Sequence, residues 1–292
     1  MEDRIRQNAE RLVALIAPLE SCIVAYSGGV DSAVVAQAAH LALGDRAIAI
    51  TGVSASLAAG ELEAAQRVAA AIGIRHETLA TDELSHEAYL RNAPDRCFHC
   101  KTELYEQLRL EAERRGLHVI LNGANADDLG DFRPGMQAAH NFAVRSPLAE
   151  CGLTKADVRA LARHWNIEAW DKPATPCLSS RIAYGVSVTP ERLARIDAAE
   201  QVLRSLDLGA IRVRLHENEL ARLEVPLEAL TRLCAEGVRQ SVVARLRELG
   251  FRYITLDLEG FRSGSFKQLV PSDELTRFAS TVTPRSAEGS GL

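Results

Sequence analysis

The stretch that decides the fold runs from residue 21 to residue 32 and reads SCIVAYSGGVDS. Its first half, Ser21 to Tyr26, is a short apolar run that predicts a buried strand. Its second half places two glycines directly before residues 31–43, whose pattern predicts a helix capped by Asp31 or Ser32. A strand, a tight glycine turn and the amino end of a helix together form a site for a phosphate group.

The side chains of this loop indicate a nucleotide. Gly28 and Gly29 let the backbone turn sharply and approach a ligand, and Ser27 and Ser32 add hydroxyl donors. Asp31 is unusual at a purely anionic site, but a carboxylate there suits Mg²⁺ or a ribose hydroxyl. No Gly-Lys-Ser/Thr follows, which disfavours a P-loop NTPase. An ordinary strand-to-helix turn is the alternative, and the six-residue pattern makes it much the weaker one.

Short apolar runs alternate with amphipathic helices on both sides of this stretch. Further strands are predicted at 46–52, 74–79 and 118–122, and helices at 4–19, 59–72, 98–115 and 154–165. This alternation predicts an α/β fold with a doubly wound parallel sheet of pyrophosphate-loop type. Ligands of such sheets bind at the carboxyl ends of the strands.

The pattern changes after residue 185. Predicted helices at 190–207 and 227–248 surround strands at 211–216 and 221–225, and a last strand follows at 252–258. We therefore predict an ATP-binding domain over 1–185 and a small α+β domain for substrate binding or oligomerisation over 186–275. Residues 276–292 are expected to be a disordered tail.

Composition narrows the class of protein. The 292 residues carry a formal net charge of −5, and 47% are apolar, so bulk charge does not favour a nucleic-acid partner. The longest apolar runs are too short for a bilayer, and the charged amino terminus lacks a signal sequence. We expect a cytoplasmic protein with no nucleic acid and no membrane among its partners.

Three of the six cysteines stand in unusual surroundings. Cys97 and Cys100 form a C-x-x-C pair in the first turn of a predicted helix, where the helix dipole is expected to lower the thiol pKa. Structural zinc would need a second close pair, and a thioredoxin-type redox pair stays possible. Cys177 lies in a proline-rich loop near Arg181, whose guanidinium could lower the thiol pKa or bind an anion.

The loop at residues 27–32 resembles the pyrophosphate loop of the adenosine-nucleotide α-hydrolase-like superfamily. That superfamily includes NAD synthetases and tRNA thiolation enzymes, which activate an oxygen with AMP. Further motifs extend over nearly the whole chain, to about residue 260. Together they resemble the ATP-dependent sacrificial sulfur transferase family, whose members help to make the nickel-pincer nucleotide cofactor of lactate racemase. Those motifs lie at 96–101, 122–128, 133–135, 176–184, 211–214 and 221–225.

The resemblance implies a mechanism. ATP adenylates a carboxylate of pyridinium-3,5-biscarboxylic acid mononucleotide, and a cysteine thiolate at the position of Cys177 displaces AMP before sulfur passes to the substrate. In single-cysteine members, that cysteine is consumed and becomes dehydroalanine. Cys97 and Cys100 make this chain similar instead to the three-cysteine members, which hold a [4Fe-4S] cluster. The resemblance also implies a homo-oligomer, and members are often hexameric.

Other residues receive roles from the same reasoning. Gly123, Asp127, Asp128 and Lys101 are candidates for binding ATP or Mg²⁺, although the aspartates could be helix caps and the lysine a surface residue. Arg212 and Arg214 alternate along a strand, share a face, and with Ser180 suit the substrate's phosphate. Glu200 and Glu224 are weaker candidates as metal ligands.

Two other functions stay open from the sequence. A tRNA thiolase or an amidotransferase-type synthetase would keep the same loop, but the chain shows neither an RNA-binding module nor a glutaminase domain. A non-catalytic nucleotide-binding protein is disfavoured because the loop, Cys177 and both arginines occur together.

Overall fold

Four short parallel strands form the main sheet: β1 (Cys22–Ala25), β2 (Ala47–Val53), β3 (Arg75–Ala80) and β4 (Val119–Leu121). This computed structural model describes residues 2–129, 134–173 and 175–262. The strands lie in the order β3-β2-β1-β4, and every neighbouring pair is parallel. The predicted parallel α/β fold is therefore confirmed.

Helices cover both faces of this sheet because side chains of a strand alternate between faces. Val24 packs into a core with the helices that begin at residues 2, 30, 61 and 155, whereas its neighbour Ile23 packs into a second core with the helices that begin at residues 96 and 134. The helices of this part are α1 (Glu2–Ile16), α2 (Val30–Leu43), α3 (Glu61–Ile72), α4 (Glu87–Leu90), α5 (Arg96–Arg115), α6 (Pro134–Asn141), α7 (Pro147–Glu150) and α8 (Lys155–His164).

The strand order creates the crevice in which ligands of such sheets bind. From β1 the chain steps to β2 and β3 on one side, and β4 lies on the other side of β1. Strand order thus reverses beside β1, the position at which ligands of such sheets bind. Gly123, just after β4, contacts the start of α2 so closely that a Cβ there would lie 2.7 Å from the Ser32 nitrogen.

A second, smaller sheet follows α9 (Pro190–Arg204). Strand β6 (Leu220–Glu224) pairs antiparallel with β5 (Arg212–His216) and parallel with β7 (Tyr253–Leu256). Helices α10 (Leu230–Cys234) and α11 (Glu236–Glu248) connect β6 to β7. The core of this region also takes in Tyr89 and Leu178 from the first part of the chain, so the two parts share buried side chains.

Some local expectations differ from the structure. The predicted cap of α2 by Asp31 or Ser32 is wrong: the helix begins at Val30, Gly29 is its N-cap, and no side chain caps it. Helix α5 begins two residues earlier than the predicted 98, and α4, α6 and α7 were not anticipated. The predicted boundary at residue 185 stays a prediction, and the expected tail at 276–292 lies outside the described residues.

No helix within the described ranges is both long enough and apolar enough to cross a bilayer.

The turn at Gly28 gives a stability prediction with a matched control. Gly28 has φ +70°, and a Cβ there would lie 2.7 Å from Ala65 Cα, whereas Gly152 has φ +62° with open space around it. Both Gly→Ala changes carry left-handed strain of about 1–3 kcal/mol. We expect Gly28→Ala to lower the free energy of unfolding, measured in urea, by clearly more than Gly152→Ala does, because α3 must also move. Equal losses would contradict the close packing of the loop on α3.

Candidate active site

Hydrogen bonds among its own groups shape the loop after β1. The Ser27 amide donates to Ser32 Oγ at 3.2 Å, and Ser32 Oγ donates to the Gly29 carbonyl at 3.0 Å. The two serine hydroxyls are also 3.2 Å apart. With Gly28 at positive φ, this arrangement turns the chain directly into the first turn of α2. The amino end of α2, with its positive dipole end, therefore faces the loop.

Asp31 leaves the first turn of α2 and meets two partners from other loops. Lys155 Nζ lies 2.5 Å from Asp31 Oδ2, and Asn125 Nδ2 donates to Asp31 Oδ1 at 3.0 Å. These contacts tie the β1 loop to the β4 loop and to the start of α8. The carboxylate is half-buried and lies beside a cation, as expected where phosphate, lysine and metal meet.

The two aspartates after β4 act as caps in this structure. Asp127 Oδ2 accepts the Lys155 amide at 2.8 Å at the start of α8. Asp128 Oδ2 accepts the Asn125 amide at 3.0 Å and closes a capping box on the turn Ala126–Asp128. Both carboxylates thus fix the loop that brings Asn125 to Asp31, which is the capping alternative weighed from the sequence.

The three cysteines of interest lie at one end of the molecule. Cys97 and Cys100 occupy the first turns of α5, and Cys177 directly precedes the turn Leu178–Arg181. Arg96, directly before Cys97, donates a hydrogen bond at 2.8 Å to the carbonyl of Ser179, which lies two residues after Cys177. The Leu178 amide donates to the Ser56 carbonyl at 2.8 Å, which places this loop beside the residues that follow β2. The fold thus gathers thiols that are about 80 residues apart in the chain.

The expectation that the helix dipole lowers the thiol pKa values of Cys97 and Cys100 is wrong. Burial raises the pKa of Cys100, and the nearby Cys177 raises it further. Cys97 keeps an accessible surface but is enclosed by protein on most sides, and this desolvation raises its pKa although Arg96 acts in the opposite direction. Desolvation disfavours an unpaired thiolate more strongly than the start of α5 favours it.

Arg181 holds the backbone of the Cys177 loop. Its guanidinium is 0% exposed; Nη1 donates to the carbonyls of Pro176 and Cys177, the latter at 3.0 Å, and Nε donates to Glu200 Oε1 at 3.0 Å. Ser180 Oγ donates to the same Cys177 carbonyl at 2.7 Å. In this geometry Arg181 binds carbonyl oxygens and a carboxylate, so it fixes where Cys177 lies.

The arginines of β5 form a cationic region next to that loop. Arg214 Nη2 lies 2.8 Å from Glu224 Oε2, and its Nη1 donates to the Ser180 carbonyl at 3.1 Å. Arg212 stacks on Phe261 at 5.2 Å from the ring centroid. Burial and the nearby Arg181 lower the pKa of Arg212 to about 10. Positive charge is therefore crowded here, which favours an anionic ligand.

No group of three or more His, Cys, Asp or Glu side chains within the described ranges is arranged to hold a metal ion. Glu200 accepts hydrogen bonds from Arg181 and Arg204, and Glu224 is paired with Arg214 and Arg222. The carboxylates that the sequence offered as metal ligands are thus engaged by arginines. Lys101 Nζ lies 5.8 Å from the centre of the Tyr105 ring, on the helix of the cysteine pair.

Comparisons with known proteins agree with this architecture. Residues 21–168 match the family model described as asparagine synthase. Over 269 residues the chain is 36% identical to pyridinium-3,5-bisthiocarboxylic acid mononucleotide synthase of Lactiplantibacillus plantarum, a match that covers 92% of this chain and 96% of that protein. The chain belongs to the family of this synthase.

Two further relatives match different shares of the chain. An uncharacterized protein of Synechocystis is 42% identical over 266 residues, which cover 91% of this chain and 99% of that protein. The tRNA-specific 2-thiouridylase of Rickettsia rickettsii is 26% identical over 200 residues and matches only 56% of this chain and 54% of its own length. The superfamily resemblance read from the loop is thus confirmed, and full-length similarity is to the synthase family.

Several residues of this region were missed from the sequence. Lys155 and Asn125 contact Asp31, and the capping pattern from Thr154 to Asp157 could have drawn attention to Lys155. Glu83 is 2% exposed and accepts hydrogen bonds from Ser54 and Ser56 beside the Cys177 loop. No local pattern marks Glu83, because its environment is assembled from three separate segments.

The Glu200 contacts predict a large and specific loss of stability. Glu200→Ala leaves the fully buried Arg181 guanidinium without its carboxylate, which should cost about 3–5 kcal/mol. Arg204→Ala is the matched control, since Arg204 is 38% exposed and its loss leaves the Arg181–Glu200 pair intact; it should cost no more than about 1 kcal/mol. Urea unfolding measures both. Similar losses would show that the buried pair does not hold the loop.

Proposed function

We propose that this protein is an ATP-dependent, AMP-forming sulfur transferase. Its substrate is pyridinium-3,5-biscarboxylic acid mononucleotide, and its product carries a thiocarboxylate in place of a carboxylate. The observation that carries the proposal is that the loop at residues 27–32 follows β1, while the Cys177 loop is hydrogen-bonded both to the segment after the neighbouring strand β2 and to the start of the helix that carries Cys97 and Cys100. This occurs in a chain similar over nearly its full length to a synthase named for the bisthiocarboxylic product.

The activation step belongs to the β1 loop. Ser27, the two glycines and Ser32 would hold the pyrophosphate of ATP at the amino end of α2. Mg²⁺ usually binds one or two carboxylates and completes its shell with phosphate oxygens and water. Asp31, beside Lys155, fits that donor set, and the metal would neutralise phosphate charge. Gly123 keeps the β4 loop close to this point.

The sulfur step belongs to Cys97, Cys100 and Cys177. Thiolates are the preferred ligands of iron–sulfur clusters. The three thiols share one region and would hold a [4Fe-4S] cluster, which when bound supplies an open iron for a sulfide. The competing account has Cys177 itself attack the acyl adenylate, release AMP, and leave its sulfur on the substrate.

The substrate's phosphate suits the cationic region on β5. Arg212, Arg214 and the Ser180 segment lie together, and a phosphate there would relieve the repulsion among the neighbouring guanidiniums. This region adjoins the Cys177 loop through Ser180 and Arg181. A nucleotide bound by its phosphate would thus extend toward the reacting cysteine.

The setting of the enzyme is part of the proposal. All six cysteines are free thiols, which suits a reducing cytoplasm. Strand β7 is an edge strand of the second sheet, and Tyr253 and Leu258 near it are exposed. Such a surface is consistent with a homo-oligomer, and we propose an assembly up to a hexamer.

The function is tested by its nucleotide product. Protein incubated with ATP, Mg²⁺, sulfide and the pyridinium dicarboxylate nucleotide should form AMP, pyrophosphate and a product in which sulfur replaces oxygen. Asp31→Asn should lose most of this activity, because it removes the carboxylate beside Lys155. Asp45→Asn is the control, since Asp45 is exposed at the opposite end of β2. ADP as the main product, or AMP formed equally without the pyridinium nucleotide, would contradict the proposal.

The sulfur source is tested by iron content and intact mass. Anaerobic reconstitution should bring about four irons to the wild type and to Cys234→Ser, whose cysteine is exposed and remote in sequence. Each of the variants Cys97→Ser, Cys100→Ser and Cys177→Ser should abolish this uptake of iron. Repeated turnover should then leave Cys177 intact, whereas in the sacrificial route the Cβ–S bond of Cys177 breaks with loss of the Cα proton, the sulfur stays on the substrate as a thiocarboxylate, and the residue becomes dehydroalanine, which is about 34 Da lighter. A colourless, iron-free protein with that mass loss would exclude the cluster.

A further inference from the structure

The segment before α5 is joined to the segment after Cys177 by buried hydrogen bonds centred on Asn92. The Asn92 side chain is 0% exposed, and its Nδ2 donates to the carbonyls of Ala183 at 2.8 Å and Val186 at 2.9 Å. Its own carbonyl accepts the Gly185 amide at 3.1 Å. Asn92 adopts φ +54°, a left-handed conformation that asparagine tolerates better than most residues.

Arg96 extends this connection to the cysteines themselves. Its Nη1 donates to Asn92 Oδ1 and, at 2.8 Å, to the Ser179 carbonyl. The Tyr89 hydroxyl and Ser179 Oγ are 2.5 Å apart. Arg96 directly precedes Cys97, and Ser179 lies two residues after Cys177. One buried guanidinium therefore spans from the cysteine pair to the third cysteine.

The guanidinium of Arg96 has different partners from those of Arg181 and Arg214. Arg181 and Arg214 each pair with a buried glutamate. Arg96 is only 4% exposed, yet it makes no ion pair with a carboxylate among the residues that the structure describes. Cys97 is its neighbour in the chain, and the Ser179 carbonyl that it binds lies two residues after Cys177. A buried cation without a carboxylate is costly unless an anion is bound nearby.

We propose that Arg96, held in place by Asn92, is a positioning residue for the three-cysteine site, keeping Cys177 apart from the cysteine pair and supplying the positive charge for the anionic sulfur centre. The charge role rests on the proposed function, whereas the spacing role does not. All three thiols are free in this structure, so the connection joins the two segments without a disulfide between them.

The spacing role is tested on metal-free protein. After mild oxidation with diamide, peptide mass spectrometry gives the rates at which Cys177 forms a disulfide with Cys97 or Cys100. We expect each of the variants Arg96→Gln, Arg96→Lys and Asn92→Gly to raise these rates by about ten-fold. This is the effect expected when one hydrogen bond to a charged group is lost. Glycine at 92 removes the amide without strain at positive φ. The rate of forming the Cys97–Cys100 disulfide is the internal control, because both of these cysteines lie on α5.

The charge role is tested by the reduction potential of reconstituted protein. Arg96→Gln should shift the potential to a more negative value, because a nearby positive charge stabilises the reduced cluster. Arg96→Lys should keep the wild-type potential while still raising the disulfide rate, which separates charge from spacing. Arg91→Gln, an exposed arginine one turn earlier, should match the wild type in both measurements.

Unchanged disulfide rates in all three variants, or an unchanged potential in Arg96→Gln, would overturn the proposal. If Arg96→Gln fails to fold, the lysine and Asn92→Gly variants decide on spacing. If the wild type takes up no iron, the cluster and the charge role fall together, and the disulfide rates still decide on spacing.

Discussion

The position of Cys177 depends on the buried ion pair between Arg181 and Glu200. Both side chains are 0% exposed, and the guanidinium binds the carbonyls of residues 176 and 177 while Glu200 also accepts the Val213 amide. One charged pair thus fixes the cysteine loop, helix α9 and strand β5 relative to each other. An isolated buried charge is strongly unfavourable, so none of these elements can move away without exposing or stranding the pair. This constraint holds the cysteine against the cationic region on β5.

The parallel sheet brings the loops that follow its strands together at one edge. Parallel strands end at the same edge, and reversal of strand order beside β1 opens a crevice there. The β1 loop, the β4 loop and the start of α8 meet at Asp31, while the residues after β2 accept the Cys177 loop. A nucleotide activated at one point of this edge would therefore need to travel little to reach a thiol at another. The sheet topology positions the β1 loop, and the buried ion pair positions Cys177, so both determine the distance between the nucleotide loop and the thiol.

The sequence predicted most of the sheet because its signals are local: apolar runs, glycine turns and amphipathic helices. The loop at residues 27–32 could also be predicted, because its glycines and serines lie within a few residues of one another, whereas the role of Cys177 stays a prediction. The cap of α2 was wrong because Asp31 and Ser32 turn toward other loops and the Gly29 backbone begins the helix. The thiol pKa values were wrong because burial depends on segments far away in the chain. Asn92 and Glu83 carry no local signal, as their partners come from residues 54–56 and 179–186.

Two pairs of cations near the Cys177 loop differ in their partners among the described residues. Arg181 and Arg214 are neutralised by Glu200 and Glu224, so they can hold backbone in place without attracting a further anion strongly. Arg96 and Lys101 have no carboxylate partner within the described part of the chain, and the groups that favour their charge include the thiols. A site meant only for structure would gain stability from a paired glutamate at these positions. Under the proposed function, an anionic sulfur species bound near Arg96 and Lys101 would supply the counter-charge that no described carboxylate supplies.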